Sequence, residues 1–162
     1  MKNKKALIVL ERIKKLGLDK PITKKEIAFV EQSLNVVLPN DFKFFCSHCS
    51  YEFFYFFDTL RFTDSEDCGV ISETKGWRES IDLPHNYLVL TDDGTSSVLM
   101  KLENNHKSSV IWCSLEDVLN LITNKKMQYN PTIFNSFTDF YEFLLNEEEK
   151  ERSIVDRQNN HI

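Results

Sequence analysis

The run Cys46-Ser47-His48-Cys49 carries the sharpest chemical signal in the chain. Thiolates and imidazole suit Zn²⁺, so a CxxC with an interposed His could supply three ligands. A tetrahedral site needs more, and no second CxxC or HxxxH follows. Cys68, Cys113, His85 and His106 are scattered singly. A metal on Cys46, His48 and Cys49 would therefore rest on an incomplete set. The plainer expectation is a pair of small apolar side chains buried on a helix. A redox dithiol would want a thioredoxin-like βαβ setting, and that context is missing. The expectation is no metal and no cofactor.

Nucleophilic catalysis would call for Ser or Cys in a strained, Gly-rich turn beside a His partner. Only four glycines exist, Gly17, Gly69, Gly76 and Gly94, and neither GxSxG nor HExxH occurs. The phosphate-cradling GxGxxG and P-loop patterns are absent as well. A triad assembled from distant residues would leave no motif, yet nothing here lifts one above background. Asp92-Asp93 reads as paired carboxylates for metal or catalysis, or as the turn of a hairpin in which Asp93-Gly94 supplies left-handed backbone. Turn chemistry explains both residues. The expectation is a protein that is not an enzyme, with no catalytic residues.

The chain has 20 basic and 25 acidic residues, a formal net charge of −5. Nucleic-acid binders usually present a basic face to phosphates, and the balance here points the other way. The run Phe53-Phe54-Tyr55-Phe56-Phe57 could stack on bases, but its neighbours are Glu52 and Asp58, so burial fits it better. Acidic residues gather at Asp64, Glu66, Asp67 and Glu73, and at Glu147, Glu148, Glu149 and Glu151. The bland reading is solvated surface. The functional one is a negative patch for a basic protein partner. Asp64, Glu66, Asp67 and Glu73 are the better partner-binding candidates, being within the folded body. Four Cys agree with a reducing, cytoplasmic setting. The apolar run from Ala6 to Leu10 is shorter than the ~7 residues of a signal-peptide core, and no stretch nears the ~20 of a membrane span. Neither nucleic acid nor membrane is expected as a partner; the oligomeric state is not legible.

The elements that must hold these residues follow from periodicity. Residues 4–16 put Ala6, Leu10 and Ile13 on one helical stripe, with Gly17 as a stop. Thr23 and Glu26 form a capping box for a helix from Lys24 to Leu34, burying Ile27, Val30 and Leu34. Asn40 suits an N-cap for a short helix over residues 41–49. Residues 53–57 read as a strand buried on both faces, with 60–62 pairing to it and 63–67 a loop. The pattern does not decide Val70-Ile71 or the neighbourhood of Trp77. Residues 87–91 and 98–102 make a hairpin around Asp92-Asp93-Gly94-Thr95, and 109–113 add a strand. Ser114 caps a helix over 115–123, and a polar loop follows. Ser136 caps a last helix from Phe137 to about Glu149. The charged tail, about 147–162, is expected to fray. Helices, then strands, then helices imply one α+β domain over 1–162, an antiparallel meander packed against flanking N- and C-terminal helices. Phe appears 13 times, so its core must be aromatic.

The order of these pieces resembles a known family. Ile22-Thr23-x-x-Glu26-Ile27-x-x-x-Glu31, then Leu34, then Leu38-Pro39-Asn40-Asp41-Phe42 with Phe45, is similar to the opening of the SUKH superfamily. That group includes the Smi/Knr-type cell-wall regulator domain of fungi and many bacterial members. Tyr87-Leu88-Val89-Leu90 with Asp92-Asp93-Gly94 looks like its strand and acidic turn, and Ser136-Phe137-x-x-Phe140 like its terminal helix. The chain departs from the family where an Asn-Gly-Gly element usually follows the Leu-Pro helix: it reads His48-Cys49-Ser50-Tyr51. The resemblance implies an α+β fold without enzymatic activity. Bacterial members are typically immunity proteins that neutralise toxins, often nucleases, of polymorphic or contact-dependent systems. A fungal-type regulatory scaffold is the alternative. The matching positions Leu38, Pro39, Phe42, Asp92, Gly94, Phe137 and Phe140 are implied to be structural, with Leu38 sealing the core and Pro39 stopping the second helix.

Overall fold

Local capping chemistry sets where the first helices begin and end. The structure, a computed structural model, describes residues 4–18, 21–49 and 69–159. Helix α1 (Lys4–Lys15) buries Ala6, Val9, Leu10 and Ile13. It closes at Gly17, whose φ of +70° is a left-handed stop, while the Leu18 amide donates back to the Ile13 carbonyl at 3.3 Å. Helix α2 (Lys24–Leu34) opens on the expected capping box. Thr23 Oγ1 accepts from the Glu26 amide at 3.2 Å, and Glu26 Oε2 accepts from the Thr23 amide at 2.6 Å.

Asn35, at φ 52°, ends α2. Pro39 therefore does not stop that helix; it is buried just ahead of α3 (Asn40–Cys46). Glu31 ties the connection: its Oε1 accepts from the Leu38 amide at 2.8 Å and from Lys43 Nζ at 3.1 Å. Helix α3 starts at Asn40 itself, which is no N-cap, and ends before Cys49. The Phe45 carbonyl takes the amides of both His48 and Cys49, closing the last turn. Helix α4 (Val70–Ile81) settles the undecided segment and contains Trp77.

Strands β1 (Tyr87–Asp92), β2 (Ser96–Glu103), β3 (Lys107–Ser114) and β4 (Thr132–Phe134) form one antiparallel sheet in chain order. A bulge interrupts β1 between Val89 and Thr91. Leu88, Leu90, Val98, Met100 and Val110 face a core shared with α1, α2, α3 and α6. Val89, Leu99, Ile111 and Cys113 face a second core with Leu83, Val118, Trp77 and Ile81. With both faces covered, Tyr87-Leu88-Val89-Leu90 is apolar throughout instead of alternating. Helix α4 packs beside β1, where Thr74 Oγ1 accepts from the Val89 amide at 3.0 Å.

After β3 a 3-10 turn (Leu115–Asp117) leads into the short helix α5 (Val118–Ile122). The expected single helix is thus shorter, and β4 lies in what reads as polar loop. Helix α6 runs from Phe137 to Asn159, ten residues past the expected end and into the segment expected to fray, whose last residues, 160–162, lie outside the described residues. Lys5 pairs with Asp139 and Glu142, and Arg12 with Asn146 and Glu149; α1 and α6 therefore lie side by side in the same direction. The first core is aromatic, as 13 Phe required. Phe42 meets Phe137 edge-on at 4.5 Å, and Phe45 stacks on Tyr141 at 5.0 Å. The strands expected at 53–57 and 60–62, and the loop at 63–67, lie outside the described residues.

Candidate functional site

The CxxC run spans the C-terminal end of α3. Cys46 and Cys49 are 2% and 1% exposed and face the first core. The Cys49 thiol donates to the Phe45 carbonyl at 3.3 Å and accepts from the Tyr141 hydroxyl at 3.5 Å. His48 stays at the helix end, its Nδ1 2.7 Å from the Phe44 carbonyl and 3.0 Å from Ser47 Oγ. Among the described residues no group of three His, Cys, Asp or Glu is placed to hold a metal ion. Cys113 lies in the second core, where burial and the nearby Asp117 push its thiol up to about 11.

The hairpin turn is held by carboxylates. Asp92 Oδ1 accepts from the Gly94 amide at 2.9 Å. Asp93 Oδ1 accepts from the Thr95 and Ser96 amides at 2.8 and 2.6 Å, and its Oδ2 from the Ser96 hydroxyl at 2.9 Å. Only Gly94, at φ +80°, is left-handed in this turn. Asp93 holds the turn through its carboxylate and through its amide, which donates to the Ser96 carbonyl at 3.2 Å; the expectation that it shares the left-handed geometry is corrected. Leu38, Phe42, Phe137 and Phe140 are fully buried. Of the acidic candidates, Glu73 sits half-buried in the first turn of α4; Asp64, Glu66 and Asp67 lie outside the described residues.

A second carboxylate hub lies behind the sheet. Asp117 is buried, and its oxygens accept from the Gln128 and Tyr129 amides at 2.6 and 2.7 Å and from Asn120 Nδ2 at 2.9 Å. Burial would raise its pKa, but these bonds hold it below the ordinary value. The hub fastens the loop that leads to β4.

The other notable surface is concave and lined by polar residue types. The start of α3, the turn Asn104–His106, the start of β3 and the β4–α6 link enclose a cleft of about 400 Å³. Two of its side chains are committed to the fold. Asp41 Oδ2 accepts from the Thr138 amide at 3.1 Å and its hydroxyl at 3.3 Å, docking α3 on the first turn of α6. Ser136 Oγ caps that turn by accepting from the Asp139 amide at 3.1 Å. The rest are uncommitted: among the described residues, the side chains of Asn40, Asn105, His106, Lys107 and Asn135 have no internal polar partner. Glu103, opposite Lys107 in the β2–β3 register, instead accepts from Ser109 Oγ at 3.0 Å.

Two further features mark the cleft. Asn105 and His106 hold left-handed backbone at φ 61° and 56°, and non-glycine residues there carry strain. Ser108 shares the helix-facing side of β3 with Val110, is 2% exposed, and its hydroxyl has no hydrogen-bond partner among the described residues. Native structures rarely leave such a group unsatisfied. Sequence reasoning missed this site because its members come from three separate stretches of the chain.

A family model described as SMI1 / KNR4 family (SUKH-1) matches residues 21–143, a span that contains every residue of the cleft. No curated protein matches the chain.

Proposed function

The chain belongs to the SMI1 / KNR4 family (SUKH-1), and from that premise we propose that it is a non-catalytic protein-binding module, an immunity protein that neutralises a toxin of a bacterial polymorphic or contact-dependent system. The observation that carries this reading is the family match across residues 21–143, since the family is in general non-catalytic and built for protein interaction. The polar residues that could suggest chemistry support it too: Cys46 and Cys49 pack in the core, and Asp92 and Asp93 hold a turn.

The formal net charge of −5 favours a basic partner, because complementary potentials steer encounter. A nuclease toxin has that character, and the acidic residues Asp64, Glu66, Asp67 and Glu73 are our candidates for the surface that meets it. The site of action is then the cytoplasm; among the described residues no helix is long and apolar enough to cross a membrane.

The test is co-expression with a toxin domain encoded beside this gene, scored by cell survival. Rescue that is weakened by charge reversal at Asp64, Glu66 and Asp67 supports the reading and its surface. Absence of rescue overturns it in favour of the regulatory scaffold that the same family match allows. A pull-down from the native host would then recover housekeeping proteins.

A further inference from the structure

We propose that the cleft between α3, the Asn104–His106 turn and the start of α6 binds a short extended peptide segment bearing a carboxylate. This rests on the protein-binding reading above and names a contact that it leaves open. The volume of about 400 Å³ falls within the ~300–1,000 Å³ of small-ligand sites. No Phe, Tyr or Trp lines it, and its one ring is the His106 imidazole.

What it offers is amide chemistry. Asn40, Asn105 and Asn135 each present one carbonyl and an NH₂ group, the same donor and acceptor pair that a peptide bond presents. Three such groups on different walls can satisfy both edges of an extended backbone. Lys107 adds a cation with no carboxylate paired to it among the described residues. The Asp41 carboxylate in the same cleft accepts from neutral donors, Thr138 and the Phe42 amide, and forms no ion pair with Lys107. A carboxylate on the ligand therefore finds an open ammonium partner, and charge-assisted bonds are the stronger kind. On the sheet side the buried Ser108 hydroxyl would gain a peptide carbonyl as acceptor. Asn105 and His106 hold the left-handed backbone of the β2–β3 turn, which places them on the rim of the cleft.

The experiment is an amide-resolved NMR titration of the full chain with acetyl-Gly-Glu-Gly-amide, with its Gln counterpart, and with inorganic phosphate. The expected result is saturable shifts at the amides of residues 105–108 and 135–136, with the Glu peptide bound at least ~10-fold more tightly than the Gln peptide. Lys107→Gln should erase that preference. Ser108→Ala should weaken binding several-fold while leaving thermal stability equal or higher, because it deletes an unpaired buried group. Shifts that fail to saturate, equal affinity for the two peptides, or phosphate binding as well as the Glu peptide would each overturn the proposal. The titration uses no toxin, so its failure leaves the survival assay to decide the immunity reading by itself.

Discussion

Asp93 stands exposed at the tip of the β1–β2 hairpin and still accepts the Thr95 and Ser96 amides and both of their hydroxyls. These donors favour the charged form, chiefly the Ser96 amide, and lower its pKa from 3.8 to about 2. Folding therefore prefers the carboxylate. Its contribution is fully present above the unfolded value near 4 and is lost as pH falls through about 2. Solvent screening at an exposed site keeps the gain to roughly 1 kcal/mol or less. Urea unfolding at pH 6, 4 and 2 should show Asp93→Asn less stable than the native chain at pH 6, with the gap closing at pH 2. A gap that stays constant would mean that the turn is held by backbone geometry alone. Glu31 does comparable work at the α2–α3 connection, where it holds the Leu38 amide and Lys43. Both carboxylates fall within the segments that carry the family resemblance, and both bind backbone of their own chain.

Helix α6 shows what an element adds beyond its residues. Its charged second half has little apolar content, which is why the sequence reads as a fraying tail from residue 147. In the fold, Glu149 receives Arg12 at 2.8 Å, while Glu148 is fully buried and bonds Arg152 at 2.7 Å. Arg152 also reaches the Leu16 carbonyl at 3.4 Å, near the end of α1. Arg12 and Leu16 lie more than a hundred residues from their partners in α6, so no local window could see those contacts. Deleting residues 147–162 should cost about 2 kcal/mol, from the lost Arg12–Glu149 pair and the lost bond of Arg152 to the Leu16 carbonyl. The melting temperature should fall by roughly 5 °C for a chain of this size. A truncated chain that melts unchanged would restore the frayed tail.

Other elements divide along the same line. Helix α2 was legible to the residue because its capping box and its stripe are both local. The hairpin was legible because Asp-Gly sits between apolar runs. Strand β4 was not: it is three residues long, with Thr132 and Ile133 exposed, and only β3 makes it a strand. The cleft was invisible for a related reason, since its chemistry exists only once α3, β3 and α6 converge.

At the scale of the molecule, the sheet separates two cores that share its strands. Val110 and Ile111 are neighbours in β3, yet the first serves the aromatic core and the second the smaller one. No strand can leave one core without opening the other, so all described elements should unfold as one cooperative unit. The two tryptophans report on the two sides. Trp112 packs against the first core and touches Phe143 at 6.0 Å, and Trp77 packs against the second. Trp77→Phe leaves fluorescence to the first core, and Trp112→Phe leaves it to the second. In each variant the fluorescence midpoint in urea should coincide with the far-UV circular dichroism midpoint, with a slope near ~1–3 kcal/mol per molar. The two variants are free to differ from each other in stability, because each loses different contacts; the comparison is made within each protein. A fluorescence midpoint that departs from the backbone signal in either one would divide the chain into separately folding parts. The single domain that the order of its elements implies would then give way.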